Sequence, residues 1–499
     1  MTARGNRANP IRHFAVACLA VVLVAAGVWH LEGQRAGLAI EHTSIGTTPV
    51  TFFLKQGAQP APLVVVAHGF AGSRQLMEAY SLALARAGYV VAAFDFEGHG
   101  RNPVPMSGDV DAIEGTTQLL VAETLKVMQA GLDRPETDGR VAILGHSMAS
   151  DIIIRAAAED PRIGPVVAIS AFSQAVTKEH PENLLLISGA WEGGLRAFAL
   201  GAVKMLAPEA GEGETVRSAD GSVVRRAFVA PNAEHVGVLF SRAGVAEAVN
   251  WLNTAFEKTG TAEIPQRGGW IFAVLFGLVL LVWPLSALLP DRAPPHKGLS
   301  PKVFAAALLA PMLAAPALAI FLPRGFLPVL VADYLAVHML LYGGIQLVIL
   351  RGLGLQVTVY SLSVGALLAA YGILGLGFAF DRYFISFAPH ADRLPIIAVL
   401  AAGALAFMLA DSAMAHACPK LWQRALIRLS FLASLAIAVA LDFERLFFLV
   451  LIIPIILAFF LVFGLMGRWV EARAGPFASG FGLALLLAWS LGVTFPMFS

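Results

Sequence analysis

The chain of 499 residues predicts two folds in series: an α/β domain with a doubly wound, mostly parallel sheet, then an all-α transmembrane bundle. Three observations carry that expectation. The composition is 57% hydrophobic and 14% charged, with a mean hydropathy of +0.72, too apolar for a wholly soluble protein. Of the 69 charged residues, only 22 fall in the 233 residues from Arg267 onward. Between residues 40 and 260, short β-branched runs alternate with Ala-rich helical stretches, as parallel strands and crossover helices require. The same apolar content excludes a disordered chain. With 35 basic against 34 acidic residues, charge gives no argument for nucleic acid as a partner.

Along the chain, an apolar run from Phe14 to Val28 follows Arg4, Arg7 and Arg12, so residues 1–35 read as a signal anchor. No small-x-small cleavage site ends the run, which passes into Trp29-His30. The α/β domain is expected over 40–262. Its strands are read at Leu63 to Ala67, Val90 to Phe94, Val141 to Leu144, Val166 to Ser170, Leu184 to Ser188 and Val224 to Ala230, the last after a hairpin-like Asp220-Gly221 turn. Helices are read at Ser73 to Ala87, Ala112 to Ala130, Ser150 to Ala158 and Val245 to Phe256.

Residues 268–499 form the membrane domain of about eight helices, with spans near 270–289, 303–322, 327–350, 355–379, 394–416, 429–443, 446–466 and 476–497. Starting from an inside N-terminus, alternation places nine Lys and Arg residues (Arg292, Lys297, Lys302, Arg351, Lys420, Arg424, Arg428, Arg468 and Arg473) in inner loops. Only Arg324, Arg382, Arg393 and Arg445 fall in short outer loops. That bias predicts a multi-pass protein of the cytoplasmic membrane with its α/β domain on the outer, extracytoplasmic face. Cys18 and Cys418 lie far apart, in or beside apolar segments, and predict no disulfide, zinc or thiol site.

The strongest chemical signal is Val141-Ala-Ile-Leu-Gly-His-Ser-Met-Ala149, an apolar strand running into Gly145-His-Ser-Met-Ala149 and then a helix. A nucleophilic serine at a tight strand-to-helix turn needs small residues two places before and after it, here Gly145 and Ala149. Its hydroxyl needs a base, and the base an orienting carboxylate. His235 follows the last strand and precedes the final helix, and alone among the 12 histidines has that placement. Glu192 follows the strand Leu184 to Ser188 and is the expected acid, with Glu234 and Asp220 as weaker competitors. Oxyanion donors are assigned to the backbone N–H groups of Phe70, in His68-Gly69-Phe70, and Met148. A second turn of this kind is Asp95-Phe-Glu-Gly-His-Gly100.

On these residues the globular part resembles the α/β-hydrolase superfamily over about 45–260. With 44 residues between Ser147 and Glu192, it is similar to the compact dienelactone-hydrolase and small-esterase branches, which lack a large lid. Two departures are Glu192, where most members carry Asp, and Ala149 in place of a second glycine. The resemblance implies a Ser147-His235-Glu192 triad with no cofactor and no metal. The sequence carries no HExxH, CxxC pair, P-loop or GxGxxG after a strand.

Within the predicted spans lie Asp333, His338, Asp411 and His416, a possible intramembrane polar site. Tyr334, His338 and Tyr342 recur at i, i+4 steps and, with Asp333, are read as one polar helix face. The expected function is a membrane-anchored serine hydrolase cleaving an ester or related acyl bond, with a small-molecule or lipid-like ester and the bilayer as partners. Two alternatives stand: an acyltransferase using the same triad, and a transporter or channel with a hydrolase-like binding or regulatory domain.

Overall fold

The computed structural model describes residues 10–499 apart from 110–112, 260–262, 323–324 and 355. Arg4, Arg7, Arg324 and the Ala112 start of one expected helix lie outside the described residues. The chain divides into two compact units. One comprises Gly27–Phe272, Asp381–Ser386 and Pro496–Ser499; the other comprises Met1–Ala26, Ala273–Phe380 and Phe387–Phe495.

Helix α1 (Pro10–Gly33) precedes the first strands of the globular unit, β1 (Leu38–Ile45), β2 (Thr48–Lys55) and β3 (Ala61–Ala67). There follow α2 (Glu78–Arg86), β4 (Val90–Phe94), α3 (Gln118–Leu132), β5 (Thr137–His146), α4 (Met148–Glu159), β6 (Ile163–Ile169) and β7 (Asn183–Gly189). The unit's last elements are α5 (Gly193–Lys204), β8 (Thr215–Arg217), β9 (Val224–Ala230) and α6 (Arg242–Ala255). The nine strands form one sheet in the order β1-β2-β4-β3-β5-β6-β7-β9-β8. Pairing is parallel from β4 through β9, whereas β1–β2, β2–β4 and β8–β9 are antiparallel.

Successive strand residues face opposite sides, so β3 shows how both faces are covered. Val64 and Val66 join Tyr80 and Leu84 of α2 and Val245 and Leu252 of α6 in one buried cluster. Leu63, on the other face, lies against Gly131 of α3, where an added Cβ would meet its side chain at 2.7 Å. With helices on both faces, β3 and β4 are buried at every residue and carry no polar alternation.

The helical part contains α7 (Arg267–Ser286), α8 (Pro301–Ala319), α9 (Ala332–Ile349), α10 (Val359–Ala370), α11 (Gly377–Tyr383) and α12 (Leu394–Ala417). It ends with α13 (Leu421–Leu441), the short α14 (Phe443–Leu446) and α15 (Phe448–Thr494). Counting α1, and α10–α11 as one, eight helices among the described residues are long and apolar enough to cross a membrane. That is the make-up of a multi-pass membrane protein. The 47-residue α15 breaks at Gly475, whose φ of 85° is followed by Pro476, between the two spans expected at 446–466 and 476–497. Helix α13 starts eight residues before the span expected at 429, because Arg424 reaches back to the Ala415 carbonyl and Arg428 pairs with Asp411 at 3.7 Å. Helices α9 and α12 cross at glycines: a Cβ on Gly403 would meet the Ala336 carbonyl at 2.2 Å, and one on Gly343 the Ala406 backbone at 2.2 Å. Close backbone approach of this kind is a usual means of packing apolar helices in lipid.

Candidate active site

Strand β5 ends at His146 and α4 begins at Met148, leaving Ser147 alone in the turn with φ 55° and ψ −118°. Such a conformation is costly for a side-chain-bearing residue and pushes the hydroxyl out of the strand-helix junction. The turn is held by Ser147 N–H donating to the Ile169 carbonyl at 2.8 Å and Ser150 N–H donating to the Ser147 carbonyl at 2.8 Å. Gly145 must lack a side chain, since a Cβ there would stand 2.9 Å from the Ala149 carbonyl oxygen and 3.1 Å from the Ala149 Cβ. The same contact shows why Ala149 is small.

The structure brings the three residues read from the sequence into one line. Ser147 Oγ lies 2.8 Å from His235 Nε2, and His235 Nδ1 lies 2.6 Å from Glu192 Oε1. His235 sits on the loop after β9, and Glu192 on the turn between β7 and α5. Neither competitor reaches the histidine: Glu234 accepts from the Val236 and Gly237 amides, and Asp220 from Ser218 and Ser222.

The second oxygen of Glu192 accepts from Ser170 Oγ at 2.8 Å and from Gly189 N–H at 2.6 Å. Burial by itself would raise the Glu192 carboxyl, but hydrogen bonds from His235, Gly189 and Ser170 outweigh it and hold it below the usual carboxylate range. Sequence reading missed Ser170 and Gly189, and equally His146. The His146 ring is fully buried, and burial, with the neighbouring His235 ring, lowers its pKa to about 3. It is therefore neutral, and its Nε2–H donates to the His235 carbonyl at 2.9 Å, pinning the His235 loop to the Ser147 turn.

The His68-Gly69-Phe70 turn runs directly beside the serine: a Cβ on Gly69 would stand 2.9 Å from the Ser147 Cβ. His68 is buried and neutral, accepting from Phe96 N–H at 3.2 Å through Nε2 and donating to the Gly69 carbonyl at 2.8 Å through Nδ1. Met148 is the first residue of α4, where a backbone N–H has no intrahelical acceptor. The neighbouring Asp95-to-Gly100 turn is fixed by the buried Asp95 carboxylate, which pairs with Arg74 and accepts from the Arg74 and Arg101 amides at 2.8 and 3.0 Å. Close in sequence to Ser170, Glu192 and His235, large apolar side chains are exposed: Phe172 at 60%, Trp191 at 70% and Val236 at 43%.

Each of the four intramembrane residues has its own partners. Asp333 accepts from Tyr334 N–H at 2.7 Å and from Gly325 N–H, fixing the start of α9. It therefore does not join the polar face expected of it, because its carboxylate is spent on backbone groups. His338 contacts Tyr334 Oη at 3.3 Å and Ser434 Oγ at 3.0 Å, while Tyr342 Oη pairs with Ser430 Oγ at 2.6 Å. Asp411 pairs with Arg428, and His416 Nδ1 lies 3.1 Å from Glu471 Oε1.

Residues 58–205 match the model of a hydrolase family described as serine aminopeptidase, S33. The uncharacterized 31.7 kDa protein in the traX-finO intergenic region of Escherichia coli is 28% identical over 138 residues, 27% of this chain and 46% of the relative. The chain thus spans about half the length of the curated relatives it matches. Among solved structures, dienelactone hydrolase from Anabaena variabilis aligns at 17% identity and a TM-score of 0.33, over 44% of this chain and 98% of its own. A predicted CIB-like hydrolase from Thermoplasma acidophilum aligns at 16% identity and a TM-score of 0.34, over 44% and 98%. By sheet order and strand-turn-helix geometry the globular unit has an α/β-hydrolase-like fold, and the family match over residues 58–205 supports a serine-type hydrolase.

Proposed function

We propose that the globular unit hydrolyses an ester or related acyl bond of a lipid-like substrate, with Ser147, His235 and Glu192 as its triad. The continuous hydrogen-bonded line from Ser147 Oγ through the imidazole to Glu192 carries this reading. His235 Nε2 takes the hydroxyl proton as Ser147 Oγ adds to the acyl carbonyl. Glu192, kept ionised by its donors, holds the Nδ1–H tautomer and stabilises the imidazolium. The Phe70 and Met148 N–H groups receive the oxyanion. Collapse of the tetrahedral adduct returns the proton to the leaving alkoxide and leaves an acyl-serine. Water, deprotonated by His235, then releases the acid and restores Ser147. An alcohol in place of that water would give acyl transfer with the same groups.

The exposed Phe172, Trp191 and Val236, the last two adjacent in sequence to Glu192 and His235, support an apolar acyl chain, since exposed large hydrophobic side chains can mark a binding surface. Phe172 also packs on Phe198, with ring centroids 5.4 Å apart. Profiling the intact protein in detergent micelles against p-nitrophenyl esters from acetate to palmitate tests the reading. The expected result is a kcat/KM that rises with chain length, is abolished in Ser147→Ala and loses its chain-length preference in Trp191→Ala. A preference for acetate would contradict the lipid-like substrate, and turnover of aminoacyl amides alone would move the reaction to peptide bonds.

A further inference from the structure

The membrane unit contains a cavity of about 630 Å³, within the range of small-ligand sites. Four chain segments wall it: the turn after α7, the α9–α10 connection, the end of α12 and the break in α15. These are the four connections to which the charge pattern assigns the inner face. Its lining carries Arg292 and Lys297 and, among the described residues, no carboxylate.

Arg292 is fixed in place. Its backbone N–H donates to the Arg473 carbonyl at 2.8 Å, and its guanidinium lies 4.8 Å from the Tyr360 ring centre. Tyr360 is itself tied down, donating to the Pro290 carbonyl at 2.6 Å. The nearby Asp291 carboxylate faces Arg473 at 3.6 Å instead. Among the described residues neither Arg292 nor Lys297 forms an ion pair, and both are exposed, so the two cations are open to an anionic group.

His416 supplies an independent observation. It lines the cavity, and its side chain is nine-tenths buried. Glu471 engages Nδ1 and His296 stacks on the ring at 4.2 Å, while Nε2 is buried with no hydrogen-bond partner among the described residues. That packing holds the ring in the cavity wall. The rest of the lining, Pro295, Leu353 and Phe477 among it, is apolar.

We infer that this cavity binds a phosphate-bearing amphiphile, with the phosphate between Arg292 and Lys297 and the chain on the proline- and phenylalanine-lined wall. Paired cations suit a phosphate, whose several oxygens can engage both at once. Equilibrium binding of fluorescent phosphatidylglycerol to the full-length protein in maltoside micelles tests this. Arg292→Gln/Lys297→Gln should bind about tenfold more weakly or worse, the equivalent of at least one charge-assisted contact. Phosphatidylcholine with the same acyl chains should also bind at least about tenfold more weakly. An unchanged thermal midpoint and unchanged helix content of the double variant in the same micelles establish that its membrane unit is folded. Equal phosphatidylglycerol affinity of wild type and double variant would overturn the site. Full displacement by millimolar inorganic phosphate would identify a free phosphate compound as the ligand and overturn the amphiphile.

Discussion

At the scale of single residues, Glu192 and His146 have buried environments that favour opposite charge states. Three donors keep Glu192 ionised beside the base, and Glu192→Gln should lower kcat by about 10³- to 10⁴-fold through loss of the correct imidazole tautomer, with KM little changed. Steady-state hydrolysis of the best ester measures this. His146 has the reverse preference, neutral in the fold down to about pH 3 against an ordinary value of 6.5. Below pH 6.5 the unfolded chain takes up a proton there that the folded chain refuses, so acid lowers stability by up to about 1.4 kcal/mol per pH unit. Glu123, raised by burial to about 7, acts with the opposite sign, stabilising the fold as pH falls from 7 towards 4.5. Comparison with His146→Gln separates the two. The stability of wild type relative to the variant should drop by about 2 kcal/mol between pH 7 and pH 5, read as urea midpoints by pulse proteolysis of the globular unit. A constant difference would mean that His146 titrates in the fold as it does in the unfolded chain.

The elements legible in the sequence were those whose burial is written in composition. β3, β4, β6 and β7 are apolar runs because helices cover both their faces. β1 left no such trace: Glu41, His42, Thr43 and Ser44 are exposed on an edge strand, and its place follows from pairing with β2. β8 is three residues long, and α5 opens on Gly193-Gly194, which reads as a loop. The Ser147–His235–Glu192 line was legible because its members hold fixed places relative to strand ends. Ser170 was not, since its role depends on β6 lying beside β7, a pairing no local pattern records. The nucleophile's turn gives a prediction at this scale. Gly145→Ala should cost about 1–3 kcal/mol and lower the thermal midpoint of inactivation by several degrees, because its Cβ would collide with the Ala149 carbonyl. Gly194→Ala, with nothing within 4 Å of the new Cβ, should leave the midpoint unchanged.

For the whole molecule, the apolar average of 57% divides between a hydrolase domain of ordinary charge content and a helical bundle with few ionisable groups, of which Asp411 and His416 are held by Arg428 and Glu471. Legibility differed accordingly: span number follows from apolar length, whereas the His416–Glu471 and Asp411–Arg428 pairs depend on which helices meet. Orientation is predicted by the loop charges. In a background with Cys18 replaced by serine, Ser222→Cys in the globular unit should react with an impermeant maleimide on intact cells. Gly298→Cys, between α7 and α8, should react only after permeabilisation. The reverse pattern would place the hydrolase inside. The most direct test of the triad is fluorophosphonate labelling of the full-length protein. Stoichiometric modification at Ser147, lost in Ser147→Ala and slowed by orders of magnitude in His235→Ala, is the predicted result; an unlabelled wild type, or equal labelling of Ser147→Ala, would contradict it.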